Sequence, residues 1–487
     1  MMQQTTQSVQ SMSLHPVSQN PLPGSNTQSA EPLVRAVDLS TQVNRQLHTH
    51  QLGLQSNSGF VPVPVSLTPW QLAPAQFAMA QQLARLLGQI QSSAAANPQW
   101  LLPLLDGLQQ SQTVPGQIWR TLRGIYPADT ELSALTTRHT NHNLMLNRHD
   151  FLLDQQQQWQ WVESNPIAAG MGPLNDRYLA VMQTQELQQP HHHYAPNNAI
   201  TTQAKLLAQA ALASALQYQT TGAGEPLMLI VVEADEDNIF DQQLLCDEVG
   251  RLGVRVERVT INSLLQSEFA DNERLHWQAK PVDLIYWRTG YNPSADLTDN
   301  FWRFRARLEQ AAVMQCPNLA GQLTGSKWFQ HQLTALLLAD PQQVSEHFGI
   351  DTKDIAVLTQ AVVPSYAVAE LKTEAAEVLI AQGYWYKTQQ EGGGNVARGK
   401  AASDKLTNAN SADLLMAPIN AVVRQETFTS LRHGNAAMAT EHISELGIFS
   451  LGDEALYGGY LCRTKPAKNN EGGVHRGGAV LDTILLR

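Results

Sequence analysis

The stretch Tyr384–Arg398, YWYKTQQEGGGNVAR, places a cation, a carboxylate and bare backbone within one loop's reach. Lys387 ends an aromatic, strand-like segment; Glu391 follows, and then Gly392, Gly393, Gly394 and Asn395. Glycines carry no Cβ, so the chain can approach phosphate oxygens closely and turn several N–H groups onto them, while Lys387 offsets charge and Glu391 can hold a hard cation. That combination suits a nucleoside triphosphate with its Mg²⁺. On its own a glycine run is more often turn punctuation, and this one is not a GxxxxGK[ST] phosphate loop, so the rest of the chain has to decide.

Further residues could join the same chemistry. In WQWVESNPI, Glu163 and Asn165 are two apart and so share one face of a strand. A carboxylate beside an amide oxygen makes a pair of hard-cation ligands; a solvated strand end is the competing reading. In LAGQLTGSKWFQHQL, Gly325 and Ser326 precede a helical pattern and Lys327 falls in its first turn, where a lysine opposes the helix dipole and so calls for an anion. Polar residues follow two apolar runs: Glu236, Asp237 and Asn238 with Gln242 after one, Arg288 to Tyr291 after the other. Arg288 could fork onto a substrate carboxylate or form a surface salt bridge. Arg463 and Lys465, two apart, precede a second glycine-rich loop around Gly472 and Gly473. His191, His192 and His193 lack the i, i+4 spacing of a helical metal site and read as a solvated loop.

These residues need elements to hold them. Leu144 to Gly172 reads as two strands joined by a Gln-rich turn, a hairpin. Residues 227 to about 325 read as a separate α/β unit. LMLIVVEA is a buried strand, NIFDQQLLCDEVGRLG a helix ended by Gly253, VRVERVT a second strand and VDLIYWR a third. That order implies a parallel sheet with crossover helices, whose ligands bind beyond the carboxyl ends of the strands. Elsewhere the pattern predicts helix from Leu33 to Leu54, an extended segment from Ser58 to Trp70, helix from Pro74 to Ile90, further helices to about Arg138, and helix from Ala339 to Ala381. LLMAPINAVVRQ and MATEHISELGIFSL alternate as strands, with Glu441, Ile443 and Glu445 on one face.

Composition bounds the class. At 487 residues, 43% hydrophobic and 15% charged, the chain reads as globular, with two or three domains. A net charge of −11 argues against a broad surface for nucleic-acid phosphates. Three cysteines, Cys246, Cys316 and Cys462, are odd in number and far apart, which fits a reducing compartment with buried thiols. No apolar run approaches the roughly 20 residues of a membrane span and no signal-peptide pattern opens the chain, so a cytoplasmic location is expected. Residues 1 to about 30, rich in Gln and Ser, read as a disordered tail.

Taken together the motifs resemble those of the eukaryotic-type glutathione synthetases, ATP-grasp ligases. The matching segments are NRHD (147–150), VESNPI (162–167), NIFDQ (238–242), YWRTGY (286–291), CPNLAGQLTGSK (316–327), QQEGGGN (389–395), ISELGIF (443–449), RTK (463–465) and GGV (472–474), in the family's order from about residue 33 to the C-terminus. The resemblance implies a mixed α/β ATP-grasp fold with a glycine-rich lid, at about 387–460, and an inserted Rossmann-like parallel-sheet substrate domain at 227–325, flanked by catalytic regions at 31–226 and 326–487. It implies ATP- and Mg²⁺-dependent ligation of γ-glutamylcysteine to glycine through an acyl phosphate, and a homodimer, which no surface pattern in the sequence derives.

By position the resemblance assigns Mg²⁺ to Glu163, Asn165 and Glu391. It assigns nucleotide to Lys327, Lys387, Glu391, Gly392, Gly393, Gly394, Asn395, Glu445, Lys465, Glu471 and the Met416–Ile419 hinge. Arg148, Glu236, Asn238, Gln242, Arg288 and Tyr291 fall at the dipeptide site, and Arg463 with Val474 and His475 at the acceptor carboxylate. Arg148, Lys387 and Arg463 are the expected catalytic residues. The chain departs from the pattern in several places. The hinge reads Met-Ala-Pro-Ile where a charged pair is usual, Thr388 replaces a proline, Ala168 and Gly170 stand where serines are usual, and His475-Arg476 replaces a small pair beside the acceptor site. Those departures leave open the same ligation on another γ-glutamyl dipeptide or another amine such as β-alanine, and a binding or regulatory protein on a decayed scaffold. Retention of the metal ligands and lysines favours the enzyme, because a decayed site has no reason to keep clustered like charges.

Overall fold

The computed structural model describes residues 30–128, 143–184, 193–218, 224–390, 395–470, 472–474 and 477–487. The expected tail lies outside them, apart from Ala30, as do His191 and His192.

An eight-stranded sheet organises the molecule. In spatial order its strands are Asn435–Ala439, Phe428–Arg432, Val65–Ser66, Val480–Asp482, Leu456–Pro466, His442–Leu451, Leu146–Leu153 and Trp159–Asn165. Pairing is antiparallel except between Val480–Asp482 and Val65–Ser66. The last two strands are the expected hairpin. Its Gln-rich turn is closed by Asp154, whose Oδ1 accepts from the N–H groups of Gln156 and Gln158 at 2.9 and 2.8 Å, while Gln157 takes a left-handed φ of 61°. The helix Pro74–Ala95, started by its proline, packs along the back of the hairpin and buries Phe77, Leu83, Leu87 and Ile90.

The expected parallel sheet is present, ordered Met314–Cys316, Leu284–Trp287, Leu227–Val232, Arg255–Thr260. Every residue of Leu227–Val232 is buried, as its unbroken apolar sequence requires of a central strand covered on both faces. The helix Ile239–Arg251 crosses to the Arg255–Thr260 strand after Gly253, at φ 85°. Later connections place Leu284–Trp287 on the other side of Leu227–Val232, so the strand order reverses between those two. A crevice opens there at their carboxyl ends.

A third, four-stranded antiparallel sheet runs Ser365–Ala367, Leu414–Met416, Trp385–Lys387, Val396–Ala397, over a separate small core that includes Ile380, Tyr386 and Leu415. Here the sequence reading needs correction. Residues 339–381 are not helical throughout: after Thr352–Ala361 the chain forms the short strand Ser365–Ala367, since Pro364 ends the helical run and the segment finds an edge to pair with. Of the stretch given to a lid, Lys387, Val396–Ala397 and Leu414–Met416 belong to strands of this small sheet, whereas Phe428–Arg432, Asn435–Ala439, His442–Leu451 and the start of Leu456–Pro466 belong to the large one. Cys246, Cys316 and Cys462 are buried and unpaired. No helix among the described residues is long and apolar enough to cross a membrane.

Candidate active site

The three sheets meet around one cavity of about 780 Å³, within the size range of small-molecule sites. Its walls include Arg148, Glu163, Asn165, Glu236, Asn238, Arg288, Tyr291, Lys327, Lys387, Asn395, Met416, Ile419, Glu445, Arg463, Lys465 and Val474. Residues separated by more than 300 positions thus converge. Gln242 does not line the cavity: it is fully buried behind Glu236 and donates from Nε2 to Glu236 Oε2 at 2.6 Å. Glu391, Gly392, Gly393, Gly394, Glu471, His475 and Arg476 lie outside the described residues.

The hairpin supplies the polar floor. Its register sets Arg148 opposite Asn165 and Asp150 opposite Glu163, so alternation turns all four onto the cavity face. Asp150 is fully buried and gathers the group. Arg148 donates to it from Nε and Nη2 at 2.7 and 2.8 Å, Asn165 from Nδ2 at 3.1 Å, and Arg463 from Nη2 at 3.0 Å. Burial alone would raise the Asp150 carboxyl; the charges of Arg148 and Arg463 outweigh it and hold the group below the usual carboxylate range. Arg463 pairs with Glu445 across adjacent strands, donating from Nε at 2.9 Å and also from Nη2. Burial opposes its charge, but Glu445 and Asp150 raise its affinity for the proton further.

Asp150 also orients the Asn165 amide. Because the Asn165 amide donates through Nδ2, its Oδ1 is left as the acceptor, beside the Glu163 carboxylate on the same face. These two oxygens fit a hard cation. Among the described residues no group of three His, Cys, Asp or Glu side chains has metal-binding geometry; Asn165 supplies an amide, and the third expected ligand, Glu391, is not described.

On the opposite face of the hairpin, His149 Nδ1 lies 2.7 Å from Ser164 Oγ and its Nε2 lies 2.8 Å from Ser450 Oγ. Trp161 Nε1 donates to the same Ser164 oxygen at 3.1 Å. Burial, offset in part by Asp150, pushes the imidazole down to about 3, so it is a neutral pin between the hairpin and its neighbouring strand.

The lysines come from separate elements. Ser326 caps the helix Lys327–Ala339 by accepting from Phe329 N at 3.1 Å, which leaves Lys327 at the first helical position with Nζ on the Gln390 carbonyl at 2.8 Å. Lys387 ends its strand with Nζ on the Val162 carbonyl at 3.2 Å, and Lys465 reaches the Asn470 carbonyl at 2.8 Å. Three cations around one cavity are a donor set for phosphate oxygens. The Met416–Ile419 hinge lies at the same end, where Ala417 N–H donates to the Pro364 carbonyl at 2.9 Å.

At the crevice of the parallel sheet, Arg288 is buried against Asp241, 3.5 Å away, and against Tyr286. Burial disfavours its charge, but Tyr286 and Asp241 outweigh that and raise its proton affinity. Arg288 Nε and Asn238 Oδ1 are buried without partners, a donor and an acceptor beside one wall of the cavity. Such orphans mark a polar ligand's place. Gly170 makes this approach possible. A Cβ there would lie 2.5 Å from Arg288 Nη2 and 3.0 Å from Asn238 Nδ2, so the missing serine hydroxyl leaves room that the guanidinium takes.

Sequence reasoning missed Asp150 and Asp241. Asp241 is fully buried, accepts the Met171 and Leu174 N–H groups at 3.0 and 3.1 Å, and fixes the Gly170 loop beside Arg288. Both residues sit inside recognisable motifs, NRHD and NIFDQ, which was the available signal. Glu441, expected on one face with Ile443 and Glu445, falls before its strand with φ 60° and is exposed; Ile443 and Glu445 do line the cavity.

Residues 35–486 match the family model described as eukaryotic glutathione synthase, ATP binding domain. The chain is 26% identical over 507 residues to the chloroplastic glutathione synthetase of Solanum lycopersicum, covering 94% of this chain and 87% of that one. It is 30% identical over 372 residues to glutathione synthetase of Homo sapiens, covering 70% and 74%. Among solved structures, a glutathione synthetase-like effector from Globodera pallida in its apo form aligns with a TM-score of 0.65 over 94% of this chain and 98% of that one; at 16% identity this is a likeness of fold. The α/β architecture agrees with the expected ATP-grasp fold, and the chain belongs to the eukaryotic glutathione synthase family.

Proposed function

We propose that the protein ligates γ-glutamylcysteine to glycine, using ATP and Mg²⁺ and releasing ADP and phosphate. The observation that carries this reading is the convergence, in one cavity, of Glu163 and Asn165, of three lysines, and of Arg148, Arg288 and Arg463. Phosphoryl transfer asks a protein for positioning and charge more than for a nucleophile, and this set supplies both.

In this reading Lys327, Lys387 and Lys465 hold the phosphates, with Asn395 and the hinge Met416–Ile419 at the nucleotide. Glu163, Asn165 and Glu391 hold Mg²⁺, which when bound neutralises charge on the phosphate oxygens. Glu236, Asn238, Arg288 and Tyr291 hold the γ-glutamyl dipeptide, with Gln242 fixing Glu236 from behind. Arg148, between Asp150 and the Gly170 carbonyl, orients the reacting carboxylate. That carboxylate accepts the terminal phosphoryl group of ATP. Arg463, with Val474 and His475, holds the acceptor's carboxylate so that its amine attacks the acyl carbon; phosphate departs with the C–O bonding electrons as the amide forms.

The proposal includes the division of the chain into 31–226, a donor-binding unit at 227–325, and 326–487. It also includes a homodimer, tested by sedimentation, and a reducing cytoplasmic location, for which the buried unpaired thiols speak. ADP release measured over a matrix of γ-glutamyl dipeptides and small amines tests the function. The expected maximum is at γ-glutamylcysteine with glycine; a maximum at β-alanine or another amine would move the acceptor assignment, and no release with any pair would overturn the reading.

A further inference from the structure

Two buried glutamines join the elements that carry Lys327 and Lys387. The helix Lys327–Ala339 packs against both the hairpin strand Trp159–Asn165 and the strand Ser365–Ala367 of the small sheet. Gln389, two residues beyond Lys387 and 1% exposed, reaches the first turn of that helix. Its Oε1 accepts from the Trp328 N–H at 3.1 Å, and its Nε2 donates to the Ala412 carbonyl at 2.7 Å. The Trp328 N–H is one of the donors that a helix start leaves without an intrahelical partner, so Gln389 is a second cap beside Ser326, delivered from a distant strand.

On its other side the helix holds the hairpin. Gln330 donates from Nε2 to the Val162 carbonyl at 3.1 Å, and the same carbonyl accepts from Lys387 Nζ at 3.2 Å. A closed circuit results. It runs from Lys387 to Val162, from Val162 to Gln330, back along the helix to Trp328, across to Gln389, and two residues along the chain to Lys387. Lys327 sits on the same helical turn, and Glu163 follows Val162. Neither glutamine lines the cavity. At Gln389 the circuit calls for an amide: one partner is an N–H and the other a carbonyl, and a carboxylate has no donor for the second.

We propose that Gln389 and Gln330 are positioning residues of the ligation: through this circuit they fix the spacing of the Lys327 and Lys387 ammonium groups and so the hold on the phosphates of ATP. This rests on the ATP-dependent reading given above. A lysine is a point charge on a flexible four-carbon stem, so its placement depends on the frame beneath it. Here two lysines from different elements share one frame, and its joints are neutral amides that touch no substrate.

The test is ATP binding by calorimetry in Mg²⁺, with steady-state kinetics that vary each substrate in turn, on the full chain as wild type, Gln389→Met, Gln389→Glu, Gln330→Met and the double methionine variant. Each methionine variant should weaken ATP binding and lower kcat/KM for ATP by about 10 to 100-fold, while KM for the dipeptide and for the acceptor stays within about twofold. Gln389→Glu keeps the acceptor for Trp328 N–H and should recover part of the loss. The double variant should lose little more than the worse single one, because one break already opens the circuit. If Gln389→Met does not fold, Gln330→Met and Gln389→Glu carry the same test. ATP binding and kinetics unchanged in both single variants, or an equal loss for all three substrates, overturns the proposal. A wild type that does not bind ATP contradicts the ATP-dependent reading itself, and ATP binding that the variants weaken, without ligation by wild type, contradicts the ligase reading while leaving the circuit intact.

Discussion

Arg463 Nη2 donates to Asp150 at 3.0 Å although their strands are not neighbours: the Glu445 strand runs between them. The guanidinium spans that strand where Gly447, paired with Asp150, leaves its surface bare; a Cβ on Gly447 would run into Asp150 Oδ1 and the Arg148 side chain. One buried carboxylate thereby fixes an arginine on the proposed donor side, an arginine on the proposed acceptor side, and the amide of a proposed metal ligand. The two halves of the proposed reaction would share a single anchor.

Asp150→Asn should therefore impair both substrates together. Removing one partner of a buried charge network leaves the others uncompensated and misplaced. The expected result is a fall in kcat/KM on the order of 10 to 100-fold for γ-glutamylcysteine and for glycine alike, with a smaller change in KM for ATP, in steady-state kinetics that vary each substrate in turn. A defect confined to one substrate would refute the shared anchor.

Gly170→Ser restores the hydroxyl usual in relatives but meets Arg288 Nη2 and Asn238 Nδ2. Displacing that guanidinium should raise KM for the dipeptide by roughly tenfold, the cost of one charge-assisted hydrogen bond, while KM for ATP holds. Unchanged or improved dipeptide affinity would mean that Arg288 is not the donor's partner in this chain.

His149 predicts a pH dependence of stability. The unfolded chain protonates this residue near 6.5, whereas the folded imidazole stays neutral down to about 3. Between those values the unfolded state binds the extra proton, so this group's contribution is full above pH 6.5 and is lost as pH falls, at about 1.4 kcal/mol per unit. Denaturant unfolding of wild type and His149→Gln at pH 7 and pH 5 isolates it. The stability difference between the two proteins should shift against wild type by about 2 kcal/mol on going to pH 5; a difference independent of pH would show that the imidazole is not held neutral.

Much of this site was legible before the structure because its parts are local. The hairpin announces itself by alternation around a Gln-rich turn, and Glu163 and Asn165 share a face by strand period alone. Lys327 is conspicuous as a cation in a helix's first turn. What could not be read is register between strands distant in sequence. Nothing local tells that Asp150 meets Arg463, 313 positions away, or that Arg398 lies over Trp385. Short elements escaped for a related reason: Ser365–Ala367 is a strand only because the Leu414–Met416 edge is there to pair with it. Glu441 was misplaced because a left-handed residue breaks alternation without a glycine to flag it.

The central claim is that this cavity activates a carboxylate by phosphorylation for attack by an amine. Turnover with γ-glutamylcysteine carrying ¹⁸O in its cysteinyl carboxylate, with ATP, Mg²⁺ and glycine, tests it most directly by mass analysis of the released phosphate. The account predicts one ¹⁸O in each phosphate, in step with tripeptide formed, and neither product from Glu163→Gln or Lys387→Ala. Phosphate released without label, or tripeptide formed without labelled phosphate, would contradict it.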